Sequence, residues 1–86
     1  MQVGDLVKIQ DHISKSKASF ELKLPYENGK IKRISAKEFK GKVGIIVSTT
    51  VVSKVSSYHV AFGNVVVRVS HNCIHTISVD KKVWIK

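Results

Sequence analysis

Three residues late in the chain, His71, Cys73 and His75, have the side chains and the alternating spacing of a metal site. On a regular strand they share one face but span roughly 13 Å, at ~3.3 Å per residue. One ion with bonds of about 2.0–2.3 Å reaches all three only if the segment turns tightly, and a fourth ligand would have to be His12 or His59. We therefore predict no metal site in this segment, and expect a small buried cysteine beside two partly exposed histidines.

The carboxylates are too scattered for acid–base catalysis. Hydrolysis by paired carboxylates needs two acids that face one cleft, whereas most acids in this chain fall in predicted turns or on outward strand faces. Gly41 and Gly44 are explained by a turn and a strand kink, so we predict no phosphate-binding loop. The sequence thus predicts a non-enzymatic protein without catalytic residues and without a cofactor. The acids are Asp5, Asp11, Glu21, Glu27, Glu38 and Asp80.

Basic residues far outnumber acidic ones. Lys and Arg total 15 against 6 Asp and Glu, which gives a formal net charge of +9. Such a surplus favours a polyanionic partner, either a nucleic acid or the acidic face of another protein. The alternative is that the charge only keeps a small, Val-rich protein in solution.

Sorting signals are not evident in the sequence. The first residues contain no apolar segment of a signal peptide, and no apolar run approaches the ~20 residues that span a bilayer. Cys73 is the single cysteine, so an intramolecular disulfide is impossible. A small domain without such a staple favours a reducing compartment or an assembled particle. We expect a protein that is neither secreted nor bound to a membrane.

The best functional signal is the basic segment 10–40, which we expect to protrude from the domain. Apolar alternation from Phe20 and the turn signal Asn28-Gly29 predict a hairpin over 20–34. Pro25 cannot donate a ladder hydrogen bond, which places its strand at a sheet edge. The candidate binding residues of this basic arm are Lys15, Lys17, Phe20, Lys23, Tyr26, Lys30, Lys32 and Arg33.

Three interpretations of the basic arm stay open. Its cations could neutralise phosphates while its aromatic rings stack on bases, as in sequence-tolerant nucleic-acid binders. Its apolar residues could instead form a buried inner stripe, with the lysines as the solvated face. A protruding apolar and basic hairpin is also a natural docking arm for another protein.

The remaining elements are predicted to be short strands, with loops at 10–19 and 49–57. In the first strand, Val7 and Ile9 face inward. A capping box that starts at Ser35 predicts one helical turn over 36–40, from which Phe39 enters the core.

A hairpin over 58–69 is predicted next. Its two-residue turn, Gly63-Asn64, pairs Phe62 with Val65, and this register places the apolar residues of both strands on one face. Before it, Val43, Ile45 and Val47 alternate with Gly44, Ile46 and Ser48.

The last part of the chain is predicted to be a strand over 74–79 and a terminal strand or docked tail over 80–86. Trp84 lies in this tail. A tail frays unless it is tied down, so Trp84 either packs across the end of the domain or inserts into a neighbouring subunit.

Five segments of the chain together form a recognisable pattern. They are Gly4-Asp-Leu-Val-Lys-Ile9, Gly41-Lys-Val-Gly-Ile-Ile-Val47, Tyr58-His-Val-Ala-Phe-Gly63, Val65-Val-Val-Arg-Val69 and Ile74-His-Thr-Ile77. This pattern resembles the KOW-type SH3-like barrels. The resemblance implies an all-β fold, a small SH3-like barrel of about five or six strands. Residues 1–86 would form one such domain, with a long early hairpin insertion and one short helical turn.

The resemblance extends to small barrels of tailed bacteriophages, and it implies binding rather than catalysis. Our first hypothesis is a protein–protein interaction or structural module of a phage particle, with an acidic protein surface as its partner. The alternative is a KOW-like RNA- or DNA-binding protein. Either way we expect the protein in the virion or in the cytoplasm of the bacterial cell. The basic arm departs from the family, because many relatives have a short loop there.

Overall fold

The computed structural model describes residues 1–24 and 29–77. In these residues, seven antiparallel strands form one sheet in the order β3-β2-β6-β5-β4-β1-β7, which curls into a half-barrel. The prediction of an all-β fold is confirmed, although the sheet has more strands than predicted. The strands are β1 Leu6–Ile9, β2 Ser19–Leu24, β3 Arg33–Ser35, β4 Val43–Val52, β5 Val55–Phe62, β6 Val65–Ser70 and β7 Ile74–Thr76. The helical elements are α1 Asp11–Ser14 and two 3₁₀ turns, Ala36–Phe39 and His71–Cys73.

The β5–β6 hairpin has the predicted register. Phe62 pairs with Val65 across the turn Gly63-Asn64, and Val60 pairs with Val67 further along. Gly63 has a φ of +62°, a backbone conformation that glycine adopts without steric cost. Val60 and Val67 are fully buried, so this hairpin lays its apolar face on the core.

Two predicted loops contain secondary structure. Most of 49–57 belongs to a long β4–β5 hairpin, whose turn residues Ser53 and Lys54 have φ of 51° and 67°. Positive φ at both turn residues matches the right-handed twist of the flanking strands, but neither residue is glycine, so the sequence carried no turn signal. Within 10–19, residues 11–14 form the single turn α1.

The prediction that 10–40 protrudes does not hold for β2 and β3, which are part of the sheet. Strand β2 pairs with β6 on one side and with β3 on the other, so it is not the edge strand that Pro25 indicated. Phe20 is 5% exposed, and the centroid of its ring lies 6.1 Å from the ring centroid of Phe39. The ring centroids of Phe39 and Phe62 are 4.6 Å apart. This segment is therefore part of the sheet and of the core.

The predicted helical turn is a 3₁₀ turn, and Phe39 is buried as expected. The hydroxyl of Ser35 caps it by accepting from the backbone N–H of Lys37 at 3.3 Å. The predicted capping box placed this bond at Glu38, and the tighter winding of a 3₁₀ turn accounts for the difference.

The core collects residues from most strands and from the first 3₁₀ turn. The buried apolar residues are Val7, Ile9, Phe20, Ala36, Phe39, Ile46, Val60, Phe62, Val67, Val69 and Ile74.

No helix among the described residues is long and apolar enough to cross a membrane.

Candidate functional site: the outer face of the sheet

An unbroken row of apolar side chains crosses five strands on the outer face of the sheet. The strand registers pair Leu24 with Val66, Val66 with Ala61, Ala61 with Ile45 and Ile45 with Leu6. Leu24, Ile45 and Leu6 are 54%, 40% and 37% exposed. At ~4.8 Å between neighbouring strands, the row is about 19 Å long. We call these five residues the apolar row.

Strand β4 adds two exposed apolar side chains beside the apolar row, because a glycine occupies one of its inward positions. A Cβ on Gly44 would lie 2.5 Å from Cγ1 of Val60 and 2.8 Å from the Phe62 ring, so only glycine fits against the core there. Val43 and Val47 consequently point outward, and they are 51% and 45% exposed.

A β-bulge in β4 determines which side chains lie next to the apolar row. Ile46 pairs with Val60 and Ser48 pairs with His59, which leaves Val47 as the extra residue. A bulge bends its strand and redirects side chains. In β4 it brings Ser48 onto the outer face, where its hydroxyl lies 2.6 Å from Nδ1 of His59.

A second bulge, in β2 between Leu22 and Leu24, explains the outward position of Leu24. One of the interpretations of the alternation placed Leu24 in a buried inner stripe with Phe20 and Leu22. The register shift moves it opposite Val66 instead, so the bulge completes the apolar row.

A polar row runs beside the apolar row. Arg68 pairs with His59 in β5 and with Glu21 in β2, and its guanidinium forms an ion pair with the Glu21 carboxylate at 3.2 Å. Partial burial is the main cause that lowers the pKa of His59 below its ordinary value of 6.5. The positive charges of Lys23 and Arg68 lower the pKa of His59 further, whereas Glu21 raises it.

The Ser48–His59 pair has the composition of a nucleophile and a base, but no group that orients the base is present among residues 1–24 and 29–77. Activation of a serine requires a base that a third group orients. In the described part of the chain, the other ring nitrogen of His59 has no carboxylate hydrogen-bonded to it. We interpret the pair as a cross-strand link on an open face.

A groove of about 300 Å³ lies at the far side of the polar row, between the β2–β3 hairpin and the tip of the β4–β5 hairpin. Arg33 is oriented in this groove by Ser19, since its Nε donates to the Ser19 hydroxyl and its Nη2 to the Ser19 carbonyl oxygen, both at 2.8 Å. The lining residues are Ala18, Ser19, Phe20, Glu21, Arg33, Val52, Val55, Ser57, Arg68, Ser70 and Cys73.

The residues predicted for the basic arm lie in different surroundings. Phe20 is buried, so it is unable to stack on a base. Lys23 lies on the polar row, 3.7 Å from the Glu21 carboxylate, and Arg33 lines the groove. Lys30 and Lys32 are exposed between β2 and β3. Tyr26 and Trp84 lie outside the described residues.

Lys15 belongs to a separate, lysine-lined groove. This groove of about 300 Å³ is formed where α1 and the first 3₁₀ turn pack together, and it is lined by Ser14, Lys15, Lys37 and Lys40. Lys17 follows in the same segment and is exposed. Sequence patterns do not place Lys15, Lys37 and Lys40 in one groove, because the contact of α1 with the first 3₁₀ turn is a tertiary one.

The side chains of the segment with metal-ligand spacing contact different partners. Nδ1 of His71 lies 3.3 Å from the Ser56 carbonyl oxygen, and the thiol of Cys73 lies 3.4 Å from the Ser70 hydroxyl. Over residues 1–24 and 29–77, no three His, Cys, Asp or Glu side chains converge as metal ligands.

Comparison with protein-family models, with curated proteins and with solved structures finds no significant match to this chain.

Proposed function

We propose that this protein is a non-enzymatic interaction module that docks the outer face of its sheet on another protein. The observation that carries this proposal is the apolar row, in which Leu6, Leu24 and Ile45 are exposed although the other face of the sheet packs on a core. Contiguous exposed apolar side chains with polar borders are typical of protein interaction sites. In keeping with the phage-like pattern of the sequence, the partner would be part of a virion or another large assembly.

The strand order supports an SH3-like barrel as the scaffold of this module. Strands β4, β5 and β6 form a meander, β1 lies beside β4, and a 3₁₀ turn leads from β6 into β7. Along the chain, the resemblance to KOW-type barrels implies the same succession of an entry strand, a later hairpin, a short turn and a last strand. The β2–β3 hairpin is added beyond β6, where it contributes Leu24 to the apolar row.

Charge favours an acidic border on the partner. Lys8 lies opposite Val43 at one end of the exposed apolar surface, while Lys23 and Arg68 lie along the polar row. With a net charge of +9, a second copy of the chain is a poor partner for this face, because the like charges would repel each other. An apolar patch rimmed by Asp and Glu fits both the row and its border.

Site-specific photo-crosslinking tests this proposal in the native assembly. We expect a crosslinking amino acid at position 45 to capture one partner protein, and the same group at position 37 to capture none. Ile45→Asp should abolish retention in the assembly, and Lys37→Asp should not. Equal retention of both variants, or self-crosslinks from position 45, would contradict the proposal.

A second candidate function, nucleic-acid binding, is favoured by the lysine-lined groove. None of the ion pairs formed among the described residues involves Lys15, Lys37 or Lys40. Lysines without a bound carboxylate are available to neutralise phosphates.

Fluorescence anisotropy with labelled single- and double-stranded RNA and DNA tests this second function. Binding that persists at ~0.15 M salt and prefers one nucleic-acid form would support it, whereas any +9 protein shows weak binding that salt removes. Replacement of Lys15, Lys37 and Lys40 by Gln should then weaken binding more than replacement of Lys30, Lys32 and Arg33.

A further inference from the structure

The groove between the two hairpins differs chemically from the apolar row. Val52 and Val55, at the tip of the β4–β5 hairpin, supply apolar wall, and Val55 is 42% exposed. Strands β2 and β3 supply Ser19, Glu21 and Arg33 on the other side. The groove therefore presents aliphatic and charged groups to the same ligand.

Arg33 is held in a fixed orientation within this groove. Its two hydrogen bonds to Ser19 engage Nε and Nη2, and Ser19 itself is fixed by its place in β2 opposite Ser35. A guanidinium has about five N–H donors, so most of its hydrogen-bonding capacity is left for a ligand. A side chain that is already oriented loses less conformational entropy on binding than a free one.

The two arginines of the groove differ in their ion pairs. The Glu21 carboxylate pairs with Arg68 at 3.2 Å and lies 3.7 Å from Lys23. Arg33 forms no ion pair among the described residues. An oriented guanidinium that lacks a carboxylate matches a planar anion, which it can bind with two parallel hydrogen bonds.

The surroundings select the source of that anion. A nucleic acid would bring a continuous row of phosphates against the apolar side chains of Val52 and Val55, and this contact is not favourable. An extended peptide alternates its side chains, so a carboxylate and a neighbouring apolar group can meet Arg33 and Val55 at the same time. A volume of about 300 Å³ is enough for only a few residues.

We propose that this groove binds a short extended segment of an acidic, partly apolar protein, with an Asp or Glu carboxylate on Arg33. This inference deepens the proposed function and rests on it, because it names the chemistry of a segment of the protein partner. The polar row connects the groove to the apolar row, so one partner can occupy both surfaces.

An NMR titration of the ¹⁵N-labelled protein tests the groove directly. The probe is an acetylated, amidated pentapeptide of alternating valine and glutamate, and the matched control peptide has glutamine for glutamate. We expect the first peptide to give a saturable shift of the Arg33 Nε–Hε resonance and to bind about tenfold more tightly than the second, since the control lacks the ionised acceptor.

Substitutions separate the effect of the Arg33 charge from the effect of its orientation by Ser19 and from a loss of the fold. Arg33→Gln should lower affinity for the glutamate peptide to that of the control peptide, and Ser19→Ala should lower it by a smaller factor, because the bond to the Ser19 carbonyl remains. Lys37→Gln, in the lysine-lined groove, should leave affinity unchanged. If Arg33→Gln disturbs the amide spectrum, Arg33→Lys keeps the charge without the planar donors and should show an intermediate loss.

The proposal is overturned if both peptides bind equally, or if Arg33→Gln keeps the affinity of the parent. It is also overturned if a single-stranded oligonucleotide shifts the Arg33 resonance at lower concentration than the glutamate peptide. Ile45→Asp distinguishes failure of the proposed docking of the outer face from failure of peptide binding in the groove. That variant should lose retention in the assembly and keep peptide binding, whereas loss of peptide binding with Arg33→Gln alone concerns only the groove.

Discussion

The two faces of the sheet carry similar side chains in opposite surroundings. On the inner face, Ile46, Val60 and Val67 are paired across β4, β5 and β6, and each is at most 1% exposed. On the outer face, the neighbouring pairs place Ile45 beside Ala61, and Ile45 is 40% exposed. The inner apolar residues form the core of the fold, whereas the outer ones are partly in contact with water. The proposed docking of the outer face on a protein partner rests on this difference.

Adjacent isoleucines in β4 should show the largest difference between the faces. Ile46→Ala leaves a cavity in the core and should lower the free energy of unfolding by about 2–5 kcal/mol. Ile45→Ala should lower it by less than about 1 kcal/mol, because its side chain is already partly in water. Urea denaturation of both variants measures this difference. Equal losses would mean that the outer face is covered in the free protein, which would contradict the difference between the two faces.

Gly44 tests how closely the core packs on β4. Gly44→Ala places a methyl group within 2.8 Å of Val60 and Phe62, and overpacking of this kind costs about 1–3 kcal/mol. Val43→Ala, one position earlier and on the outer face, is the control and should have a smaller effect. Thermal unfolding monitored by circular dichroism measures both. A Gly44→Ala protein as stable as the parent would mean that β4 lies farther from the core than these distances indicate.

The smallest effect concerns pH and the outer polar row. The pKa of His59 is lowered in the folded state, so below pH 6.5 the unfolded chain binds the proton more readily than the folded one. Stability should be fully present above pH 6.5 and should fall as the pH decreases toward the lowered pKa.

Chemical denaturation between pH 7.5 and about 5, compared with His59→Gln, measures this contribution. The variant should lose this part of the pH dependence, whereas His75→Gln, which removes an exposed histidine, should keep it. A steeper acid loss in His59→Gln than in the parent would show that the ring is stabilised as a cation.

Local patterns predicted some elements correctly because the interactions that decide them are local. The β5–β6 hairpin combines strict alternation with a glycine turn, and its register follows from the two together. The burial of Val7 and Ile9 in β1 follows from alternation alone. The cap at Ser35 depends on a residue two positions away.

The candidate surfaces could not be predicted in the same way, because distant contacts decide them. The alternation of β4 presents isoleucine on both sides, and only the close approach of Gly44 to Val60 determines that Ile45 points outward. Leu24 joins the apolar row through a bulge that the pairing of β2 with β6 imposes. The groove combines the orientation of Arg33 by Ser19 with the tip of a hairpin that was predicted to be a loop.

By itself, the sequence determined an all-β domain with a strong positive charge, together with the hairpins whose turns and alternation lie within a few residues of one another. Those features depend on backbone preferences and on the period of apolar residues, both of which are local. Only the tertiary structure decided which face of each strand is buried, that β2 and β3 join the sheet, and which cations share a groove. Such choices depend on pairing and packing between segments far apart in the chain, and no local pattern encodes them.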